Sequence, residues 1–157
     1  MLERANAFIA ANKDQVNPRY RPRFHAIQPI GWINDPNGFH FDGEYYHLFY
    51  QHYPYAAHWD SMHWGHWRSR DLVHWEDLPV AMAPDQPYDA AGCFSGTAKP
   101  DGKGGAYILY TGVSKDEAKK DIQQQCLAYF DGTRIEKCSL NPVIPFEMLP
   151  EGYVRHD

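Results

Sequence analysis

From about residue 31 onward the chain consists of short aromatic and β-branched runs cut apart by Asp-Gly pairs and glycine-rich turns. A chain patterned this way buries its apolar residues as sheets. Gly38–Phe41 and Tyr45–Gln51 flank Asp42-Gly43, and Gln124–Phe130 and Thr133–Lys137 flank Asp131-Gly132. An Asp-Gly pair between such runs predicts a two-residue hairpin, whose central positions both need positive φ. Met62–Arg68 alternates large and small residues, and Ala106–Tyr110 follows the turn Asp101–Gly105. Helical periodicity is weak past residue 15, except across Ser114–Asp121. The expected class is all-β, whether sandwich, barrel or propeller. No exact repeat is present. The succession of aromatic strand, Asp-Gly turn and aromatic strand nevertheless recurs every several tens of residues, which fits propeller blades of roughly 40–50 residues.

The first residues differ. Residues 1–14 read as a short amphipathic helix with Leu2, Ala5, Phe8 and Ile9 on one face. Pro18, Pro22 and Pro29 make residues 15–30 an extended lead-in. A length of 157 residues suits one domain, and 43% hydrophobic residues allow a buried core and exclude disorder. Aromatic residues make up 15%, which suits both strands and the stacking of sugar rings. A net charge of -5 without a basic run excludes a nucleic-acid binder. No stretch reaches the ~18 apolar residues of a membrane span. The segment MLERANAFIAANKDQ carries Glu3 and no continuous apolar core, so it is not a secretory signal. Cys93, Cys126 and Cys138 are widely spaced with no CxxC, which points to free thiols and a cytoplasmic location.

Three segments carry candidate chemistry. Asp35-Pro36-Asn37-Gly38 matches a type I β-turn position by position. Trp32 and Asn34 set a ring and an amide beside the Asp35 carboxylate, and Pro36 biases Asp35 toward extended backbone. Six of the nine histidines lie between His47 and His74, but His63 and His66 would face opposite sides of a strand and no zinc spacing occurs. Histidines packed among aromatics, bonded to backbone or to sugar, are the better reading, so no metal site is expected. Gly92-Cys93-Phe94-Ser95-Gly96-Thr97 is not a nucleophile elbow, because Phe94 breaks the GxSxG pattern. Ser95 is expected as a hydroxyl contact.

In order, WINDPNG at 32–38, FYQ at 49–51, MHWGH at 62–66, DLVHWEDLPVAMAPD at 71–85 and GCFSGTA at 92–98 resemble glycoside hydrolase family 32. YILYTG at 107–112 and NPVI at 141–144 match more loosely, and the similarity runs from about residue 24 to 157. The resemblance implies a five-bladed β-propeller, of which a chain this long holds two to three blades after an N-terminal helix and lead-in over 1–23. It implies a retaining glycosidase that releases fructose from sucrose, sucrose 6-phosphate or a short fructan, with Asp35 as nucleophile and no cofactor. Trp32, Ile33, Asn34, Gln51, Trp59, Phe94 and Ser95 match positions lining the fructose pocket. A fructosyltransferase using the same Asp35, and a non-catalytic fructan-binding module, are the alternatives. His58, His63 and Arg68 are candidates for holding a substrate phosphate.

The sequence departs from the family pattern at the other two carboxylates. The transition-state Asp of an Arg-Asp-Pro motif has no match, since Arg155 and Asp157 are separated by His156. The acid/base Glu of a Glu-Cys motif is missing, because neither Glu147 nor Glu151 precedes a Cys. The isolated chain is therefore expected to be an inactive N-terminal portion that a C-terminal fragment could complement.

Overall fold

The computed structural model describes residues 1–22 and 25–148. The expected boundary at 23/24, and Glu151, Arg155 and Asp157, lie outside the described residues. Helix α1 spans Leu2–Asn12, with Ala5 buried and Leu2, Phe8 and Ile9 half-buried on the same face. 3-10 turns at Lys13–Gln15 and Pro18–Tyr20 follow the helix before the rest of the irregular lead-in.

Eight strands follow: β1 (Trp32–Phe41), β2 (Tyr46–Tyr53), β3 (His63–Ser69), β4 (Trp75–Met82), β5 (Gly92–Pro100), β6 (Ala106–Lys115), β7 (Asp121–Phe130) and β8 (Ile135–Lys137). They form two antiparallel four-stranded sheets in chain order, β1-β2-β3-β4 and β5-β6-β7-β8. These are two propeller blades, each running from an innermost first strand to a peripheral fourth. The innermost strands β1 and β5 lie side by side, so their residues meet.

The hairpins form where Asp-Gly predicts, but not as two-residue turns. Phe41 pairs with Tyr46 and Phe130 with Ile135, leaving loops at 42–45 and 131–134. Only the glycine of each pair has positive φ, 112° at Gly43 and 94° at Gly132. The aspartate instead folds its carboxylate over the loop. Asp42 Oδ1 accepts from the amides of Glu44 (2.7 Å) and Tyr45 (2.6 Å), and Asp131 Oδ1 from those of Thr133 and Arg134 (both 2.8 Å). Asp101 Oδ1 does the same with the amides of Lys103 and Gly105. A side-chain acceptor thus closes the turn that backbone geometry alone would otherwise have to make.

Two local expectations are corrected. Ser114–Asp121 is not helical: β6 runs through Lys115, β7 starts at Asp121, and Asp116–Lys120 is the hairpin loop, with Lys119 at φ 63°. Cross-strand pairing of Lys115 with Asp121, reinforced by their ion pair, outweighs the helix preference of that segment. Asp35-Pro36-Asn37-Gly38 is not a turn either, since it lies within β1.

The core fills the space between the blades. β6 buries alternate residues Ala106, Ile108 and Tyr110, as a half-buried strand should. Ile108 and Tyr110 pack with Phe49, Trp64, Met82, Cys93, Cys126, Ala128 and Phe130. The Phe130 ring stands edge-on to His40, His47, Phe49 and His66. The histidine-rich stretch is therefore largely core. Nδ1 of His40, His52 and His63 lies 2.8–3.0 Å from the backbone carbonyls of Gly38, Trp32 and Ser61. Burial pushes both His52 and His63 down to about 4. At the blade periphery α1 lies on β4, where Asn6 Oδ1 accepts the Val80 amide at 2.8 Å. Helix cover and Pro79 blunt this edge strand.

Candidate active site

Two of the three candidate segments sit in β-bulges on the innermost strands. Along β1, Ile33 pairs with His52 and Pro36 with Tyr50, so three steps on β1 match two on β2. The extra residue falls at Asn34-Asp35. A second bulge, between Asn37 and His40, contains Gly38 at φ 52°, and a Cβ there would lie 3.0 Å from the Phe49 ring. On β5 the pairs Cys93–Gly112 and Gly96–Tyr110 bracket a third bulge at Phe94-Ser95. A bulge bends its strand and re-aims its side chains. Here two bulges point Asp35 and Ser95 at one another: Ser95 Oγ donates to Asp35 Oδ2 at 2.8 Å, across 60 residues of sequence. One carboxylate oxygen is thereby held by a hydroxyl, and Asp35 remains exposed to solvent.

The remaining groups arrange themselves around this pair. Trp32 Nε1 donates to Asn34 Oδ1 at 2.8 Å, which orients the Asn34 amide beside Asp35. Ile33 is half-buried in the β1–β2 ladder. Trp59 is 51% exposed and stands edge-on to Phe94, with ring centroids 5.7 Å apart. These two rings can offer an apolar surface to a sugar. Gln51 is 2% exposed, and its Nε2 donates to Cys93 O at 3.0 Å. A bulge frees carbonyls from the ladder, and buried carbonyls need donors. Gln51 supplies one of these donors through its Nε2.

Two supports were not assigned from sequence. Trp64 Nε1 donates to both Cys93 O and Phe94 O at 3.2 Å, holding the same bulge from the core. Asn37 Oδ1 accepts the Gly96 amide at 3.3 Å, which ties β1 to β5 just beyond the two bulges. Both residues belong to quoted motifs, but nothing in the linear sequence shows what they touch.

The three phosphate candidates separate. Arg68 is bound by both oxygens of Glu76 and pairs in register with His47, at the opposite end of the sheet from Trp32. His63 is 2% exposed. His58 shares the 54–62 loop with Trp59, its ring 5.6 Å from that of Tyr53, and Tyr53 pairs with Trp32. Among the described residues no three His, Cys, Asp or Glu are grouped so as to hold a metal ion, and no helix is long and apolar enough to cross a membrane. Cys93, Cys126 and Cys138 are free thiols. Burial pushes the Cys93 thiol well above its ordinary value, which leaves it a poor nucleophile.

Known proteins resemble this chain in sequence and in fold. Sucrose-6-phosphate hydrolase of Zymomonas mobilis is 45% identical over 141 residues, covering 87% of this chain and 27% of its own length. The Escherichia coli protein of the same name is 42% identical over 139 residues, covering 84% of this chain and 28% of its own. Among solved structures, the GH32 beta-fructofuranosidase of Bombyx mori superposes with a TM-score of 0.82 at 41% identity, covering 92% of this chain and 30% of that one. The sucrose-6-phosphate hydrolase of Lactobacillus gasseri gives 0.79 at 34% identity, covering 88% and 29%. The chain thus spans under a third of the length of these relatives. Residues 25–156 match the glycosyl hydrolases family 32 N-terminal domain, and the chain belongs to that family.

Proposed function

We propose that the chain is the nucleophile-bearing part of a β-fructofuranosidase that acts on sucrose or sucrose 6-phosphate with retention of configuration. The observation that carries this reading is the Ser95–Asp35 hydrogen bond, which pins one carboxylate oxygen and leaves the other to attack. Asp35 Oδ1 forms a bond to the anomeric carbon of the fructosyl unit as the bond to the leaving sugar breaks. The leaving oxygen takes a proton from a second carboxyl, which in a retaining enzyme stands about 5–5.5 Å from the nucleophile. Water then attacks the fructosyl–Asp35 bond and releases fructose. Trp59 and Phe94 face the ring, and the Asn34 amide, oriented by Trp32, bonds its hydroxyls.

None of Cys93, Cys126 and Cys138 follows a Glu, and no Arg-Asp-Pro occurs in the sequence. We therefore assign the proton donor and the transition-state carboxylate to polypeptide beyond these residues, whether continuous with them or a complementing fragment. The chain alone should be inactive on sucrose, because loss of an acid/base group costs about 10²–10⁴ in rate. Three free thiols fit a reducing compartment, and we read the protein as cytoplasmic.

β-Fructofuranosyl fluoride tests the assignment, because fluoride leaves without protonation. With no base to activate water, the fructosyl–Asp35 adduct should accumulate slowly on the 157-residue chain, detected by intact mass and peptide mapping. Asp35→Asn should abolish it. An adduct elsewhere, or none, sinks the nucleophile assignment. Glucose release from sucrose by the pure chain at rates typical of the family sinks the claim that other carboxylates are needed.

A further inference from the structure

Lys137, the last residue of β8, ends in the seam between the blades. Its ammonium donates to Asp89 Oδ2 (2.6 Å), Asp85 Oδ1 (2.7 Å) and Ala83 O (2.6 Å), which uses all three N–H groups. Asp89 is 0% exposed. Its Oδ2 also accepts from the Tyr110 hydroxyl at 2.9 Å and faces the Cys93 thiol at 3.6 Å, while Oδ1 accepts the Gln86 amide at 2.9 Å. Burial works against the Lys137 charge, but the acidic groups around it more than offset this and hold its pKa above the ordinary value.

All three acceptors of Lys137 belong to residues 83–91, the crossover from the outer strand of the first blade to the inner strand of the second. This crossover delivers β5 to the site. Four residues past Asp89 comes Cys93, whose carbonyl takes the Gln51 and Trp64 donors, and then the bulge that presents Ser95 to Asp35. The β8 ladder does not need this ammonium, since Lys137 pairs with Ala128 through backbone. A buried ion pair adds little stability over apolar residues of the same volume, and its best-supported use is to specify geometry.

We propose that Lys137 is a positioning residue for the Ser95–Asp35 pair, acting through Asp89 and Cys93. Its catalytic meaning rests on the reading of Asp35 as nucleophile, whereas the coupling itself can be measured without any sugar.

The test follows the carboxyl ¹³C signal of Asp35 in the 157-residue chain. Ser95→Ala calibrates the displacement caused by loss of the hydroxyl bond. The double variant Asp89→Asn/Lys137→Met leaves no unpaired buried charge. It should move the Asp35 signal in the Ser95→Ala direction by at least half that amount, while the core amides of Ile108 and Ala128 stay in place. An unmoved Asp35 signal in the folded double variant overturns the proposal, as does equal movement of the core amides. If the double variant does not fold, Lys137→Arg decides. Its planar fork keeps the charge but cannot match three acceptors placed for an ammonium. A smaller shift in the same direction is expected, and a wild-type signal overturns the coupling. If Asp35 takes no fructosyl adduct while its signal still responds to Lys137, the functional reading fails and the coupling stands.

Discussion

Acid should unfold this chain well before its carboxylates titrate, because its core contains histidines that must stay neutral. His52 and His63 are in register on β2 and β3, each with Nδ1–H bonded to a backbone carbonyl and Nε2 without a partner among the described residues. Burial lowers both to about 4 from the ordinary 6.5. Below 6.5 the unfolded chain binds protons that the folded chain refuses. Their stabilisation is thus complete above pH 6.5, falls as the pH drops, and is gone near pH 4. At about 1.4 kcal/mol per pH unit, the gap from 6.5 to 4 is worth ~3 kcal/mol per ring. Two rings together approach the ~5–15 kcal/mol net stability of an ordinary domain. His40 and His66, also lowered first by burial, add in the same direction. Urea unfolding followed by tryptophan fluorescence at pH 7, 6 and 5 and constant ionic strength should show the midpoint falling steeply. The double variant His52→Gln/His63→Gln should flatten that dependence. Equal unfolding free energies at pH 7 and pH 5, or an unchanged slope in the double variant, would refute the reasoning.

Gly65→Ala should destabilise the chain by about 2 kcal/mol or more, seen as a lower thermal midpoint. The new Cβ would overlap the Tyr50 ring, which stacks on Trp67 at 3.8 Å and has nowhere to retreat. Trp64→Phe removes the indole donor from the Cys93 and Phe94 carbonyls and should cost ~1–3 kcal/mol in urea unfolding. It should also slow fructosyl labelling of Asp35, because the bulge under Ser95 loosens. Asn141→Ala should cost a similar ~1–3 kcal/mol, since the Asn141 amide stands in for a strand by bonding both the amide and the carbonyl of Leu127, at 2.7 and 2.8 Å.

Much of this architecture is legible in the linear chain, for reasons that differ by residue. Alternation in β6 and the aromatic runs of β2 and β7 are local patterns with one strand-like solution. Asp42, Asp101 and Asp131 mark their loops correctly, although side-chain capping replaces the expected two-residue turn. Ser114–Asp121 misleads because its helix propensity is weaker than the ladder on either side of it. Asp35-Pro36-Asn37-Gly38 misleads differently. Its residues suit a type I turn, and only pairing with β2 shows that the same four residues span bulges within a strand. Gln51 has the polarity of a pocket residue, but its burial under Cys93 depends on the neighbouring blade.

By itself the sequence determined the all-β class, the runs that become β2, β3, β6 and β7, the Asp-Gly loops, the family and the identity of Asp35 as the group to watch. Periodicity, turn chemistry and motif order are properties of near neighbours along the chain. Tertiary structure decided what Asp35 touches. Its bond to Ser95, the Gln51 and Trp64 donors under the β5 bulge, and the reach of Lys137 to Asp89 join residues 29 to 60 positions apart. These contacts arise because a bulge frees backbone carbonyls that a buried site must satisfy, and the donors come from whichever blade packs beside it.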